Sequence, residues 1–212
     1  MAWQETGRRM AGVWAAMAWL MSMACPAYAA QTGPAVAVVR HFQSTLITVM
    51  KAGKSLGFKA RYARLMPAVH QSHNLTYIAQ LTLGPYWSRL TPVERHAFVH
   101  TFTKLTVATY AAQFRRYSGQ AFHRLASRNL GQDDVLVETE LTTHGRKDAT
   151  IDYLVAPTAG RWEIVNILAN GVSDLALKRA QYTSIMRTKG FPALLAALRG
   201  KIAQVSHGAL KG

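Results

Sequence analysis

The chain has one cysteine, Cys25, in 212 residues. That excludes a fold stapled by internal disulfides and any metal site built on several thiolates. Acid is scarce too: ten Asp and Glu stand against 25 Lys and Arg, a formal net charge of +15. Charged residues make up only 17% of the chain and hydrophobic ones 50%, which excludes intrinsic disorder and favours an apolar interior. The longest apolar run, Met10 to Cys25, is shorter than the roughly 20 residues a membrane-spanning helix needs. Several signatures are missing: a GxSxG serine elbow, a Gly-rich phosphate loop, a dinucleotide fingerprint and HExxH. The length suits one domain around one core and leaves no room for two large catalytic domains.

The N-terminus sets the compartment. Arg8 and Arg9 precede the Met10–Cys25 run, Pro26 breaks it, and Ala27-Tyr28-Ala29 supplies small residues for a cut. This pattern predicts a secretory signal peptide over residues 1–29, cleaved after Ala29, and an exported mature domain of residues 30–212 without cysteine. Two other export readings are weaker: Ser22-Met23-Ala24-Cys25 lacks the leucine of a lipoprotein signal, and Arg8-Arg9 lacks the surroundings of a twin-arginine signal.

Positive charge would suggest nucleic acid in a cytoplasmic protein; for an exported one it points to anionic lipid headgroups or acidic partners, and no nucleic acid is expected. Residues 30–132 hold 13 Lys and Arg and one acid, Glu94, whereas residues 133–212 hold ten basic and eight acidic residues. Lys51, Lys54, Lys59, Arg61 and Arg64 form the densest stretch, read as a helix end and the turn after it. They are the residues expected to make transient contact with an anionic membrane or a partner, at about 1 kcal/mol per charge. A merely solvated basic face is the plainer alternative.

Periodicity gives an α+β reading, with residues 30–132 mainly helical, 133–170 an antiparallel sheet and 173–205 C-terminal helices. Val36, Val39, Phe42 (or Leu46) and Val49 mark a first helix, ended by Gly53 and Gly57. A short helix spans Asn74 to Leu83, broken by Gly84-Pro85. Thr91-Pro92 with Glu94 reads as a capping box opening a long helix that Ser118-Gly119 closes. After Asp133-Asp134 the pattern alternates: Val135, Val137 and Leu141 on one side, Glu138 and Glu140 on the other. Gly145 and the Pro157–Gly160 stretch turn the chain into further strands. Ser173 or Asp174 caps a helix to about Thr188, Gly190 stops it, and Pro192 opens the last one.

Chemistry is thin. His96 and His100 have i, i+4 spacing, but no third metal ligand falls at a recognisable distance, and His70 and His73 are placed in a loop. Asp152 and Tyr153 point to opposite faces of one strand, which argues against an acid–phenol pair. No cofactor, metal or catalytic residue is assigned. The abundant apolar side chains would either fill a core or line a cavity, and periodicity cannot separate the two.

Several stretches carry a resemblance: Leu83-Gly84-Pro85-Tyr86-Trp87 with Thr91-Pro92, Thr106 to Ala111, Tyr117-Ser118-Gly119, Ile151-Asp152-Tyr153, Trp162, Gly171-Val172-Ser173, Arg179 to Met186, and Gly190-Phe191. In this order, across residues 36 to 204, they resemble the MlaC family of periplasmic lipid carriers, also called the toluene-tolerance auxiliary family, and within it the hopanoid-biosynthesis-associated HpnM branch. One departure is Asn74, where many relatives carry an aspartate. The resemblance implies a curved antiparallel sheet wrapped by helices, similar to an NTF2-like cone with a helical extension, and an apolar lipid cavity between them. It implies a non-enzymatic shuttle for phospholipid or hopanoid, working with an inner-membrane MCE-type ABC transporter complex and an outer-membrane lipoprotein complex. A ligand-free envelope adaptor and an NTF2-like enzyme are the other two readings.

Alternation and helical stripes, together with the resemblance, nominate the cavity walls. Val137, Leu141, Ile151, Tyr153, Val155, Val165 and Ile167 form the sheet wall. Phe102, Leu105, Tyr110, Phe114, Tyr182, Ile185, Met186, Leu194 and Leu198 form the helical wall. A bulky or charged residue at Val137 or Tyr153 is expected to abolish lipid binding and leave the fold intact. Each methylene hidden from water contributes about 0.8 kcal/mol, so one long acyl chain is worth on the order of 10 kcal/mol.

Overall fold

The computed structural model describes residues 27–53 and 55–210, with side chains from Thr32 onward; residues 1–26 of the expected 1–29 signal peptide, and Lys54, lie outside the described residues. Helices α1 (Ala27–Lys51), α2 (Phe58–Ser72) and α3 (Leu75–Leu83) come first, then a 3-10 turn over Gly84–Arg89 and the long α4 (Pro92–Gln113). Strands β1 (Gln120–Gly131), β2 (Asp134–Thr143), β3 (Arg146–Thr158), β4 (Arg161–Ala169) and the two-residue β5 (Val172–Ser173) follow, and α5 (Asp174–Val205) ends the chain.

Local chemistry explains the boundaries. Thr91 and Glu94 form the expected reciprocal capping box: the Glu94 amide donates to the Thr91 hydroxyl at 3.2 Å and the Thr91 amide donates to the Glu94 carboxylate at 2.8 Å. Asn74 caps α3, its side chain accepting from the Tyr77 amide. The Ser173 hydroxyl accepts from the Ala176 amide at the start of α5. Gly190, at φ 77° and ψ −178°, breaks α5 where the sequence places a stop, and Pro192 resumes it.

The sheet is one antiparallel meander in the order β1-β2-β3-β4-β5. All four connections are two-residue turns with both φ angles positive: Gln132-Asp133, His144-Gly145, Ala159-Gly160 and Asn170-Gly171. That is the type I′ geometry, whose twist matches that of the strands it joins.

Two elements depart from the sequence reading. The sheet begins at Gln120 rather than after Asp133, because β1 is an edge strand with two register shifts. The extra residues are Leu125 and Leu130, each more than half exposed, so the alternation that marks a half-buried strand is broken twice. Lys59, Arg61 and Arg64 stand on α2 rather than in a turn, and α2 also takes in His70, with His73 as its C-cap, where a loop was expected.

One core joins the layers. Ala35, Val39, Phe42, Leu46 and Val49 run down the buried side of α1, which faces the sheet; α4 lies against α2, α3 and α5. The sheet contributes Val135, Val137, Tyr153, Val155 and Ile164. The α2–α3 junction is tied to the outer edge of β4: His73 bridges Ile164, and the Asn74 amide donates to the Ile164 carbonyl at 3.0 Å. Gly53 admits the close approach of the chain after α4, since a Cβ there would lie 2.1 Å from the Arg115 carbonyl oxygen.

Candidate functional site

The nominated wall residues meet in and around this core. Val137, Tyr153 and Val155 from the sheet are fully buried together with Phe102, Leu105, Tyr182, Leu194 and Leu198 from α4 and α5. Ile151, Ile167, Tyr110, Phe114, Ile185 and Met186 pack against that cluster half-buried. Leu141 sits at the margin, paired across the ladder with Phe122. Val165 does not join the wall. The bulge between Leu154 and Val155 pairs Val155 with Ile164, so Ile164 takes the core position and Val165 turns to the opposite face of the sheet.

The space between the walls is smaller than expected. A cleft of about 30 Å³ remains, lined by Phe102, Tyr110, Ile167 and His73 among others. Aromatic edges fill the rest: the Phe42 ring sits 4.8 Å from His73 and 5.1 Å from Tyr110, and Phe98 meets Tyr182 at 6.1 Å. Interiors close-packed in this way hold no long acyl chain unless the helices part from the sheet. It also follows that a charge at Val137 or Tyr153, 1% and 2% exposed, would be buried without a partner. Such a replacement is expected to unfold the chain rather than empty a pocket.

Beside the cleft lies a closed polar network. The Ser72 hydroxyl donates to the Ala68 carbonyl at 2.6 Å, so its oxygen must accept from His73 Nδ1–H at 2.8 Å. His73 Nε2 is then the acceptor for the Tyr110 hydroxyl at 3.0 Å. Burial pushes the imidazole down to a pKa of about 3, against a smaller opposing effect of its backbone bond to Val69. Burial likewise raises the Tyr110 phenol well above its usual value, and Tyr153 and Asp174 add to that. A buried histidine with a shifted pKa is what an enzyme on this fold would need, but this one serves no proton transfer. Both its nitrogens are taken, it is too weak a base near neutrality, and the serine beside it donates to a carbonyl.

The larger opening, about 300 Å³, lies on the other face of the sheet. Its floor is Leu154, Ala156 and Val165; Tyr77 and Leu81 reach over from α3 and Leu175 from α5; Asn74, Thr158, Asn166 and Asp134 supply the polar atoms. Asn166 and Leu175 also line the inner cleft, so the two spaces adjoin at that pair. Asn166 is held there firmly: its side-chain oxygen accepts from the Ile167 amide at 2.8 Å and the Leu175 amide at 3.3 Å, and its amide nitrogen lies 3.0 Å from the Ser173 hydroxyl. The pair stands where the outer pocket and the inner cleft meet.

The basic residues divide. Lys51, Lys59 and Arg64 are exposed. Arg61 is not a docking residue: its guanidinium donates to the Ala111 carbonyl at 3.0 Å and the Leu56 carbonyl at 2.7 Å, which fastens the turn before α2 to the last turn of α4. Burial and the nearby Arg115 lower its pKa. Arg115 and Arg116, exposed just past α4, extend the positive surface toward Lys51, whose Nζ lies 5.2 Å from the Tyr117 ring centroid.

Asn166, Leu175, Tyr77 and Asp134 were not legible as site residues, since they come from four separate elements and share no spacing. The one local signal was the Ser173 cap, which fixes the start of α5 and so the position of Leu175.

Among solved structures the fold matches that of a phospholipid-binding protein from Ralstonia solanacearum in complex with a phospholipid, with a TM-score of 0.72 and 19% identity over 82% of this chain and 99% of that one. The MlaC protein family matches residues 40–200. Its members are periplasmic carriers rather than enzymes, and with the match spanning most of its length, this chain belongs to the MlaC family.

Proposed function

We propose that this protein is a periplasmic carrier that shields the acyl chains of one phospholipid between membranes, as the soluble component of an ABC-type lipid transport system. The observation that carries the reading is that Asn166 and Leu175 line both the outer pocket and the apolar cleft between Ile167 and Phe102, which makes them the neck of a seam between the two. The acyl chains enter along it as the helices part from the sheet, and they are held by Val137, Tyr153, Val155, Leu194 and their neighbours. The phospholipid in the Ralstonia relative supports that cargo class; a hopanoid, the cargo implied for the HpnM branch, is the other lipid the apolar walls suit. Export and cleavage after Ala29 belong to this reading; among the residues whose burial is described, the first core residue of α1 is Ala35. Burial on the order of 10 kcal/mol per chain makes spontaneous release slow, so delivery calls for partners that open the seam: an MCE-type complex at the inner membrane and a lipoprotein complex at the outer one.

The test is to purify the mature protein from a bacterial periplasm, extract it with organic solvent and identify bound lipid by mass spectrometry. Near-stoichiometric phospholipid is expected, hopanoid would name the other cargo, and a lipid-free folded protein would favour an adaptor instead. A Leu175→Trp variant fills the neck at a half-buried position, so it should melt within a few degrees of the wild type and retain less than about a tenth of the lipid. Full lipid occupancy in that variant would sink the proposed route.

Membrane contact is assigned to Lys51, Lys59 and Arg64, with Arg115 and Arg116. Neutralising Lys59 and Arg64 together should weaken binding to anionic vesicles roughly thirtyfold at low salt, at about 1 kcal/mol per charge. Wild-type binding should fade as salt shortens the screening length from about 10 Å at 0.1 M to about 3 Å at 1 M. Sedimentation of vesicles with bound protein reads both, and salt-insensitive binding would argue against the basic face.

A further inference from the structure

The outer pocket has the opposite sign to the molecule that carries it. The chain holds 25 basic residues and ten acidic ones, yet the single charged side chain in the pocket wall is Asp134. Its placement follows from strand alternation: Val135 faces the core and pairs with Val155, so Asp134 leaves the sheet on the face of Leu154 and Ala156. Among the described residues Asp134 makes no ion pair; the three present are Arg128–Glu138, Arg161–Glu163 and Lys178–Asp174. Partial burial, and then the neighbouring Asp133, raise its pKa from the usual carboxylate value, as expected of an anion without a cationic partner.

The remaining polar groups are largely committed. Asn74 accepts from the Tyr77 amide and donates to Thr158, and Asn166 is engaged with Ser173, Ile167 and Leu175. No Lys, Arg or His lines the pocket, so a phosphate would find no cation there. An ammonium group would find the Asp134 carboxylate and the face of Tyr77, 44% exposed and in the same wall.

We propose that this pocket holds the ammonium group of a lipid headgroup, and that Asp134 and Tyr77 select amine-bearing zwitterionic lipids over net-anionic ones. The proposal rests on the carrier reading above and adds to it a class of headgroup. The acyl chains pass inward through the neck at Asn166 and Leu175, and the headgroup stays in the half-open pocket with its phosphate toward water.

The mature protein is incubated with equimolar phosphatidylethanolamine and phosphatidylglycerol vesicles and re-isolated, and both lipids are quantified by mass spectrometry. The wild type should be enriched in the ethanolamine lipid. Asp134→Asn, nearly isosteric, should show that enrichment reduced about fivefold. Tyr77→Leu, at an exposed position that does not threaten the fold, should lower it in the same direction. Unchanged enrichment in both variants, or no preference in the wild type, overturns the headgroup assignment and leaves the carrier standing. No lipid of either kind on the wild type overturns both.

Discussion

Phe42→Ala is expected to cost about 3–5 kcal/mol of stability, read by urea denaturation of the mature protein. The ring is fully buried, and it stands edge-on to both His73 and Tyr110. Each such aromatic pair is worth about 0.5–1.5 kcal/mol beyond the area it buries. The site cannot easily collapse, because its neighbours belong to different elements already fixed by other bonds: His73 to Ser72 and to the β4 edge, Tyr110 to α4. A cavity left there stays open, which places the loss near the upper part of the range for a truncated aromatic. A loss under about 1 kcal/mol would mean that α1 closes over the gap, and that the Phe42–His73–Tyr110 cluster does not hold α1 to the rest of the core.

Much of this fold was legible because local chemistry and global packing agree. The Thr91–Glu94 box, the Ser173 cap, the short helix after Asn74 and the Gly190 break sit where the sequence puts them. The hidden parts have physical causes. In β1 the two bulged leucines and an exposed outer edge remove the period-two signal. In α2 the glycines before it and the basic residues along it look like a solvated turn, while the buried positions Leu65, Ala68, Val69 and Ser72 come only in its second half. A further bulge exchanged Ile164 for Val165, an error of one residue that strict alternation is bound to make.

The site was less legible than the fold. Hydrophobic period identifies which side chains face the core but says nothing of whether the core opens, and here it is closed around a small cleft by rings that also read as core. The accessible pocket lies on the face of the sheet where Asp134, Leu154 and Ala156 alternate outward, a face that sequence logic gives to solvent. It becomes a pocket only because Asn74 is pinned to β4 and brings α3 over the sheet edge, and that contact spans 90 residues of sequence.

Acid should destabilise this protein through His73. The imidazole, ordinarily near 6.5, is held at about 3 in the folded chain by burial. Between those values the unfolded chain binds a proton that the native one does not, so stability rises with pH in this window. The contribution is fully present above pH 6.5 and is lost as pH falls from there toward 3, amounting to about 3 kcal/mol at pH 4 by linkage. The groups bonded to His73 do not offset it: Ser72 does not titrate, and Tyr110 is pushed further from ionising by burial. Asp134 and Asp152 act with the opposite sign, since a carboxyl whose folded pKa is raised takes up its proton more readily in the native state and favours folding as pH falls. Comparison with His73→Gln, which cannot titrate, removes those shared effects. Urea midpoints of the two proteins at pH 7 and pH 4 should show the wild type losing about 3 kcal/mol more than the variant between the two conditions. Parallel losses would mean that His73 reaches water before the chain unfolds, and that the core at the inner cleft opens locally at low pH. In that case protonation at the Ser72–His73–Tyr110 network would loosen the contact between α4 and the α2–α3 junction in the native protein, beside the cleft that the proposed acyl chains must enter.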